Sequence, residues 1–170
     1  STGEEIAYLA DHKDVASVEV TPHHLTLDDT AYARLGTYVQ MNPPVRDASH
    51  RDALWRAIAS GVVDVIGSDH APHTREEKEG VYPATPSGMP GVQTLMPVML
   101  NHVNNEKLSL NQLVNLVCEN PAKIFGIKNK GFIKKDYDAD FTIIDLNKKI
   151  TIKNENIESK CGWSPFNDVE

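Results

Sequence analysis

Residues 61–78 read GVVDVIGSDHAPHTREEK. From Val62 to Gly67 the run is apolar almost throughout and rich in valine, the pattern of a parallel strand covered on both faces. It stops at Ser68-Asp69-His70 and releases a polar loop that carries a second histidine, His73. Why a buried strand should end on an acid and an imidazole is the question that organises the rest of the chain.

Working upstream, Arg51 to Ser60 has Leu54, Trp55 and Ile58 on one helical face, with Ser49 as the expected cap and Gly61 as the left-handed stop. Residues 41–46, MNPPVR, contain two prolines that forbid helix and hold an extended turn. A short helix is expected near Tyr32 to Leu35. Ser17 to Thr21 reads as a short strand that Pro22 ends, with His23-His24-Leu25 at its C-terminal end. Residues 3–12 carry Ile6, Leu9 and Ala10 at helical spacing, and Ser1 or Thr2 followed by Glu4 and Glu5 is helix-start chemistry. The order helix, strand, loop, helix, strand, loop indicates βα units, hence an α/β fold. A chain without an initiator Met that opens at a helix cap reads as one with further sequence upstream.

Downstream, residues 70–90 form a loop rich in Pro, Gly and charge. A loop that long is commonly a lid or binding loop, with plain disorder as the alternative. Helices are expected at Val92 to Val103, at Leu110 to Cys118 behind Ser109, and at Pro121 to Phe125 between Asn120 and Gly126. After Gly126 the stretches 131–133, 140–146 and 149–152 alternate or run apolar between turns, so a small β module and tail, 127–170, follows the α/β part, 1–126.

The composition is 40% hydrophobic and 24% charged, with a net charge of -7 and no Lys/Arg cluster, which argues against nucleic acid and favours a small-molecule ligand. Cys118 and Cys161 lie far apart without CxxC spacing, pointing to a reducing, cytoplasmic setting. No apolar run approaches ~18 residues, so no membrane span is expected.

Asp69 is the first candidate for chemistry. A carboxylate at the C-terminal end of a parallel strand sits where α/β sheets and barrels place ligands, and could serve as metal ligand or general base. Capping its own loop through an Asx turn is the bland alternative. His70 reads as structural, whereas His73, further into the loop beyond Pro72, is the sharper candidate. Of His23 and His24, adjacent on a strand, at most one faces the centre, either directly or as a supporting hydrogen-bonding group. Asn42, held in the proline-rigid turn just before Pro43-Pro44, suits recognition of an imide or carboxylate, or simply forms the turn. Ser87-Gly88 could offer backbone groups to a planar ligand. Without HxH, CxxC or HExxH, the chain displays no complete metal site.

Taken together, VEVTPHHLTL, MNPPVR, GSDHAPHTREEK, PSGMPGVQT, ENPAKIFGI and DYDADFTIIDL, in this order, resemble the C-terminal part of the dihydroorotases of the amidohydrolase superfamily. The resemblance implies a (β/α)8 TIM barrel with a small β module, residues 17–21 being the seventh strand and 62–67 the eighth. It implies a metal-dependent cyclic amidohydrolase that interconverts N-carbamoyl-L-aspartate and dihydroorotate in pyrimidine biosynthesis. One or two zinc ions would be held mostly by upstream histidines, with Asp69 as the ligand inside this chain. Asp69 would also take the proton of the attacking water and return it to the leaving nitrogen, while Asn42, His73 and the Ser87 and Gly88 backbone would touch substrate. Many relatives carry an aromatic where Ser87 stands, and Arg46 matches the motif without an assigned role. A homo-oligomer, with aspartate transcarbamoylase as a possible partner enzyme, is also implied. The alternatives are a hydantoinase- or allantoinase-like enzyme and a noncatalytic scaffold subunit of aspartate transcarbamoylase. For these 170 residues alone no catalysis is expected.

Overall fold

The structure is a computed structural model that describes residues 1–170. Its organising element is a parallel pair, β1 (Glu19–Val20) and β2 (Val65–Ile66), in register Glu19 to Val65 and Val20 to Ile66. The α/β reading and the parallel pairing are as expected, but the ladder is shorter than residues 17–21 and 62–67. Its flanks are tied by the Asp64 and Val65 N–H groups donating to the Val18 carbonyl and by Gly67 N–H donating to Val20. Asp64, the one acid in the apolar run, accepts from Val18 N–H at 2.6 Å and from Lys13, which satisfies it at the strand edge.

Helix α1 (Gly3–Ala10) starts on a complete capping box of Thr2 and Glu5. The expected strand end at Pro22 is instead the first turn of α2 (Pro22–Thr26), with the Thr21 hydroxyl accepting from His24 N–H and Pro22 at a position that needs no donor. His23 and His24 therefore lie on a helix, not a strand, and both are buried. The rule that adjacent strand residues face opposite ways does not govern them. Helix α3 (Ala31–Leu35) lies where expected. Helix α4 (Ala48–Ala59) is capped by Asp47, whose carboxylate accepts from Ser49 N–H, so Ser49 lies inside the helix rather than at its cap. Gly61, φ +76°, stops it as the sequence suggests.

Residues 70–90 form an ordered loop. It contains α5 (Arg75–Lys78), begun by a Thr74–Glu77 capping box, and a parallel bridge between His70 and Met89. Helix α6 spans Leu95–Asn104. The two helices expected at 110–118 and 121–125 are one continuous helical run, α7 (Leu110–Val114), a π turn (Asn115–Glu119) and α8 (Asn120–Ile124). Pro121 has no N–H and its ring crowds a preceding carbonyl, and the widened turn before it accommodates both while the run continues. Gly126, φ +63°, ends it.

Residues 127–170 contain no paired strand. Ile133 and Ile143 remain 89% and 97% exposed, because an extended segment without a neighbouring strand has neither ladder bonds nor a covered face. The end of the chain packs onto the α/β body: Cys161, Trp163 and Phe166 join Val39, Met41, Met89 and Val98 in one apolar core. A second core lies between the strands and the helices, built from Val18, Val20, Leu54, Ile66, Met99 and Leu113 among others. No helix is long and apolar enough to cross a membrane.

Candidate functional site

The site lies beyond the C-terminal ends of β1 and β2. Asp69 sits three residues past β2 with φ +42°, a left-handed backbone that aspartate tolerates better than most residues and that is often found at functional positions. Its carboxylate is exposed and lines a cleft of about 200 Å³ with Glu19, Thr21, His24, Asn42 and Pro43. Asp69 and Asn42, far apart in sequence, are thereby brought together. A larger cleft of about 420 Å³ beside His70, Gln93 and Glu158 contains neither of them.

His73, Ser87 and Gly88 form a second group next to it. The His73 ring nitrogen Nε2 lies 3.2 Å from the Ser87 carbonyl, and Nδ1 is 3.5 Å from the Glu77 carboxylate. Gly88, φ +140°, is packed so closely that a Cβ there would sit 2.7 Å from the Ala71 Cβ and 2.8 Å from the Ala71 carbonyl. Only glycine fits both the conformation and the space. Backbone bonds join the two groups: Gly88 N–H donates to Gln40 at 2.9 Å, and Ala71 N–H donates to Met89 at 3.0 Å. The MNPP, DHAPH and PSGMP segments thus lie side by side. Arg46 is exposed and lies outside both groups.

The other histidines act as staples between these segments. His24 places Nδ1 2.8 Å from the Thr21 hydroxyl and Nε2 3.0 Å from the Pro43 carbonyl, so its ring fixes the turn that carries Asn42 to the end of β1. Burial lowers its pKa, against the opposing pull of the Pro43 carbonyl and the Asp69 carboxylate, so the ring is a neutral support. His70 accepts the Gly91 N–H at 3.1 Å and the Val92 N–H at 3.3 Å through Nδ1, which leaves its proton on Nε2 and agrees with a structural reading. His23 is fully buried against Phe166, ring centroids 5.4 Å apart, with Nε2 3.2 Å from the Pro90 carbonyl and Nδ1 without a partner.

Burial brings the His23 pKa down to about 4 from an ordinary 6.5. The unfolded chain therefore binds a proton between these values that the folded chain refuses, so the His23 contribution to stability is fully present above about pH 6.5 and is lost as pH drops toward 4, alongside a like contribution from His102. A shift of this size corresponds to roughly 3 kcal/mol. Urea unfolding at pH 7.5 and pH 4.5 is expected to show a loss of that order attributable to His23. A His23→Leu variant whose pH dependence matches the parent would contradict the assignment.

Two site features escaped the sequence reading. Glu19 points its carboxylate over Gly67, where a Cβ would lie 2.5 Å from it, and into the Asp69 cleft. Strand alternation from the buried Val18 and Val20 was the available signal. Lys78 is fully buried and donates to three backbone carbonyls of the site segments, which no local pattern reveals.

A zinc-type ion takes about four donors. The chain brings together no group of three or more His, Cys, Asp or Glu side chains suited to one, and His23, His24 and His70 each use one ring nitrogen to hold a backbone group. Asp69, an exposed oxygen donor at a strand end, fits the contribution of a single ligand to such an ion.

Comparison with known proteins extends this reading. The chain is 44% identical over 162 residues to the dihydroorotase of Methanosphaera stadtmanae, covering 95% of this chain and 37% of that protein. It is 43% identical over 167 residues to the dihydroorotase of Pyrococcus furiosus, covering 98% and 38%. The chain thus spans little more than a third of the length of the curated relatives it matches. Among solved structures, the L-hydantoinase (dihydropyrimidinase) from Arthrobacter aurescens superposes with a TM-score of 0.93 at 32% identity, over 99% of this chain and 39% of that one. The strand-end acid, the glycine-tight loop and the proline turn beside it all fall within residues 2–165, which match the model of the amidohydrolase family, and to that family the chain belongs.

Proposed function

We infer that the chain is the C-terminal part of a dihydroorotase, supplying the last two strands of a (β/α)8 barrel and the acid that moves the proton in the opening and closing of dihydroorotate. The observation that carries this is the identity to proteins named dihydroorotase, 44% and 43% over nearly the whole chain, against 32% to the hydantoinase. The site supports it by gathering an unburied carboxylate and an amide side chain in one cleft at the end of the parallel strands.

In the ring-opening direction, water adds to the ring amide carbonyl, the C–N bond breaks, and one proton passes from the water to the departing nitrogen. We assign to Asp69, whose carboxylate is exposed in the cleft just past the strand end, the acceptance and return of that proton. Asn42, His73 and the exposed Ser87 backbone hold the ring and its carboxylate; Gly88, expected from the resemblance to touch substrate as well, is buried with its N–H and carbonyl committed to Gln40 and Lys78, and it shapes the loop instead. A zinc ion, with Asp69 among its ligands, would acidify the water and polarise the carbonyl when bound. Oligomerisation, a place in pyrimidine biosynthesis and association with aspartate transcarbamoylase rest on the resemblance alone.

The superposition on the hydantoinase favours a second reading, an enzyme of hydantoins or dihydropyrimidines. A substrate panel separates the two. The full-length protein is expected to open dihydroorotate with kcat/KM at least about 100-fold above dihydrouracil or hydantoin, because a site built to pair a substrate carboxylate discriminates strongly against rings lacking it. The reverse order of preference would replace the dihydroorotase reading with the second.

A further inference from the structure

Lys78 is the last residue of the short helix α5, and in a loop helix of sequence REEK a lysine ordinarily keeps its ammonium in water. Here the residue is 0% exposed. Its Nζ donates to the carbonyls of Gln40 at 3.0 Å, Pro86 at 2.9 Å and Gly88 at 3.1 Å. An ammonium has three N–H groups and no acceptor, so these three carbonyls use it completely.

The three acceptors come from two segments far apart in the chain. Gln40 stands two residues before Asn42, and Pro86 and Gly88 bracket Ser87. The Gly88 N–H bond to the Gln40 carbonyl joins the same segments a second time. Nζ also lies 6.0 Å from the centre of the Trp163 ring, whose indole N–H donates to the His73 carbonyl at 2.7 Å. The helix that carries the lysine is fixed at its start by the Thr74–Glu77 box, and the Thr37 hydroxyl donates to Lys78's own carbonyl.

A buried ammonium costs several kcal/mol in lost hydration unless its bonds are met. Leucine or methionine would fill the same space without that cost. What the charge adds is direction: three carbonyl oxygens turn toward one point, while Asn42, in the Asp69 cleft, and Ser87 remain exposed.

We propose that Lys78 is a positioning residue for the substrate: its ammonium, through the Gln40, Pro86 and Gly88 carbonyls, sets the relation between Asn42 and Ser87-Gly88 on which binding of a cyclic amide carboxylate depends. The proposal rests on the function inferred above. Lys78 touches neither substrate nor reacting atoms; it acts through the backbone that does.

The test uses the full-length enzyme with Lys78→Ala, and Lys78→Gln as a second variant that keeps N–H donors at nearly the same reach. KM for dihydroorotate is expected to rise about tenfold or more, while kcat per folded enzyme changes little. Added n-propylammonium, which matches the deleted atoms, is expected to lower the raised KM of the alanine variant, and tetramethylammonium, which has no N–H, to leave it unchanged. A lysine that merely stabilised the fold would reduce the amount of folded enzyme and leave KM alone, so a folded variant with parental KM overturns the proposal. Amide hydrogen exchange at Gly88 supplies a readout independent of turnover. Protection there is expected to fall about tenfold or more in the alanine variant, and by less in the glutamine variant that keeps donors, relative to amides in α6. Unchanged protection overturns the proposal, whereas a wild-type enzyme that fails to open dihydroorotate overturns the functional reading and leaves the exchange result to decide the role of Lys78.

Discussion

Asp69→Ala in the full-length protein is expected to lower turnover of dihydroorotate by at least about 10³-fold, since general acid and base catalysis alone contributes about 10² to 10⁴ and the same carboxylate is assigned a metal contact. The fold should survive the change. Asp69 is exposed, lies past the end of β2 and belongs to neither apolar core. Its φ of +42° is a conformation alanine adopts less readily than aspartate, so a loss of stability of about 1 kcal/mol is expected and no more. Asp69→Asn separates the roles further, because the amide keeps the shape and the left-handed tolerance but cannot take the proton. Near-parental activity in either variant would remove Asp69 from the mechanism.

The largest effect on stability is expected at Trp163. It is 2% exposed, packs edge-on against Tyr38 with centroids 4.9 Å apart, and donates its indole N–H to the His73 carbonyl. Truncation to alanine opens a cavity in the core that Met41, Met89 and Phe166 share, at a cost of about 3–5 kcal/mol. That is a large fraction of the roughly 5–15 kcal/mol by which a typical domain is stable. Trp163→Phe keeps most of the volume and loses the bond to His73, for which about 1 kcal/mol is expected. Urea unfolding of both variants checks the ranking, and an alanine variant within about 1 kcal/mol of the parent would show that the tail is not part of the core.

How much of this could be read from the sequence depends on the range of the interactions involved. The apolar run 62–67 and the left-handed Gly61 are local signals, and both the parallel strand and the helix stop are found. Asp69 and Asn42, distant in sequence, line one cleft, a proximity set by the parallel pairing of β1 and β2 and not by any local signal. Local signals also mislead when two of them compete. Thr21-Pro22 carries a strand-end reading and a helix-start reading, and the cap bond from His24 N–H selects the second. Asp47 and Ser49 are both cap residues, and the carboxylate takes the position. The fate of Lys78 and of Cys161-Gly162-Trp163 is set by contacts across tens of residues, to Gln40 in one case and to His73, Met41 and Met89 in the other. Neither has a periodic or compositional trace. Residues 131–152 show the opposite limit, where alternation suggests strands but ladder bonds require a neighbour that these residues do not find among themselves.

The central claim concerns where Asp69 stands relative to a substrate ring. The most direct measurement is a crystal structure of the full-length protein with dihydroorotate bound. The account predicts an Asp69 carboxylate oxygen within about 3.2 Å of the attacking water or of the ring nitrogen that leaves, with the ring held between Asn42 and the Ser87 backbone. A ring seated elsewhere, with the Asp69 carboxylate turned into solvent, would contradict it.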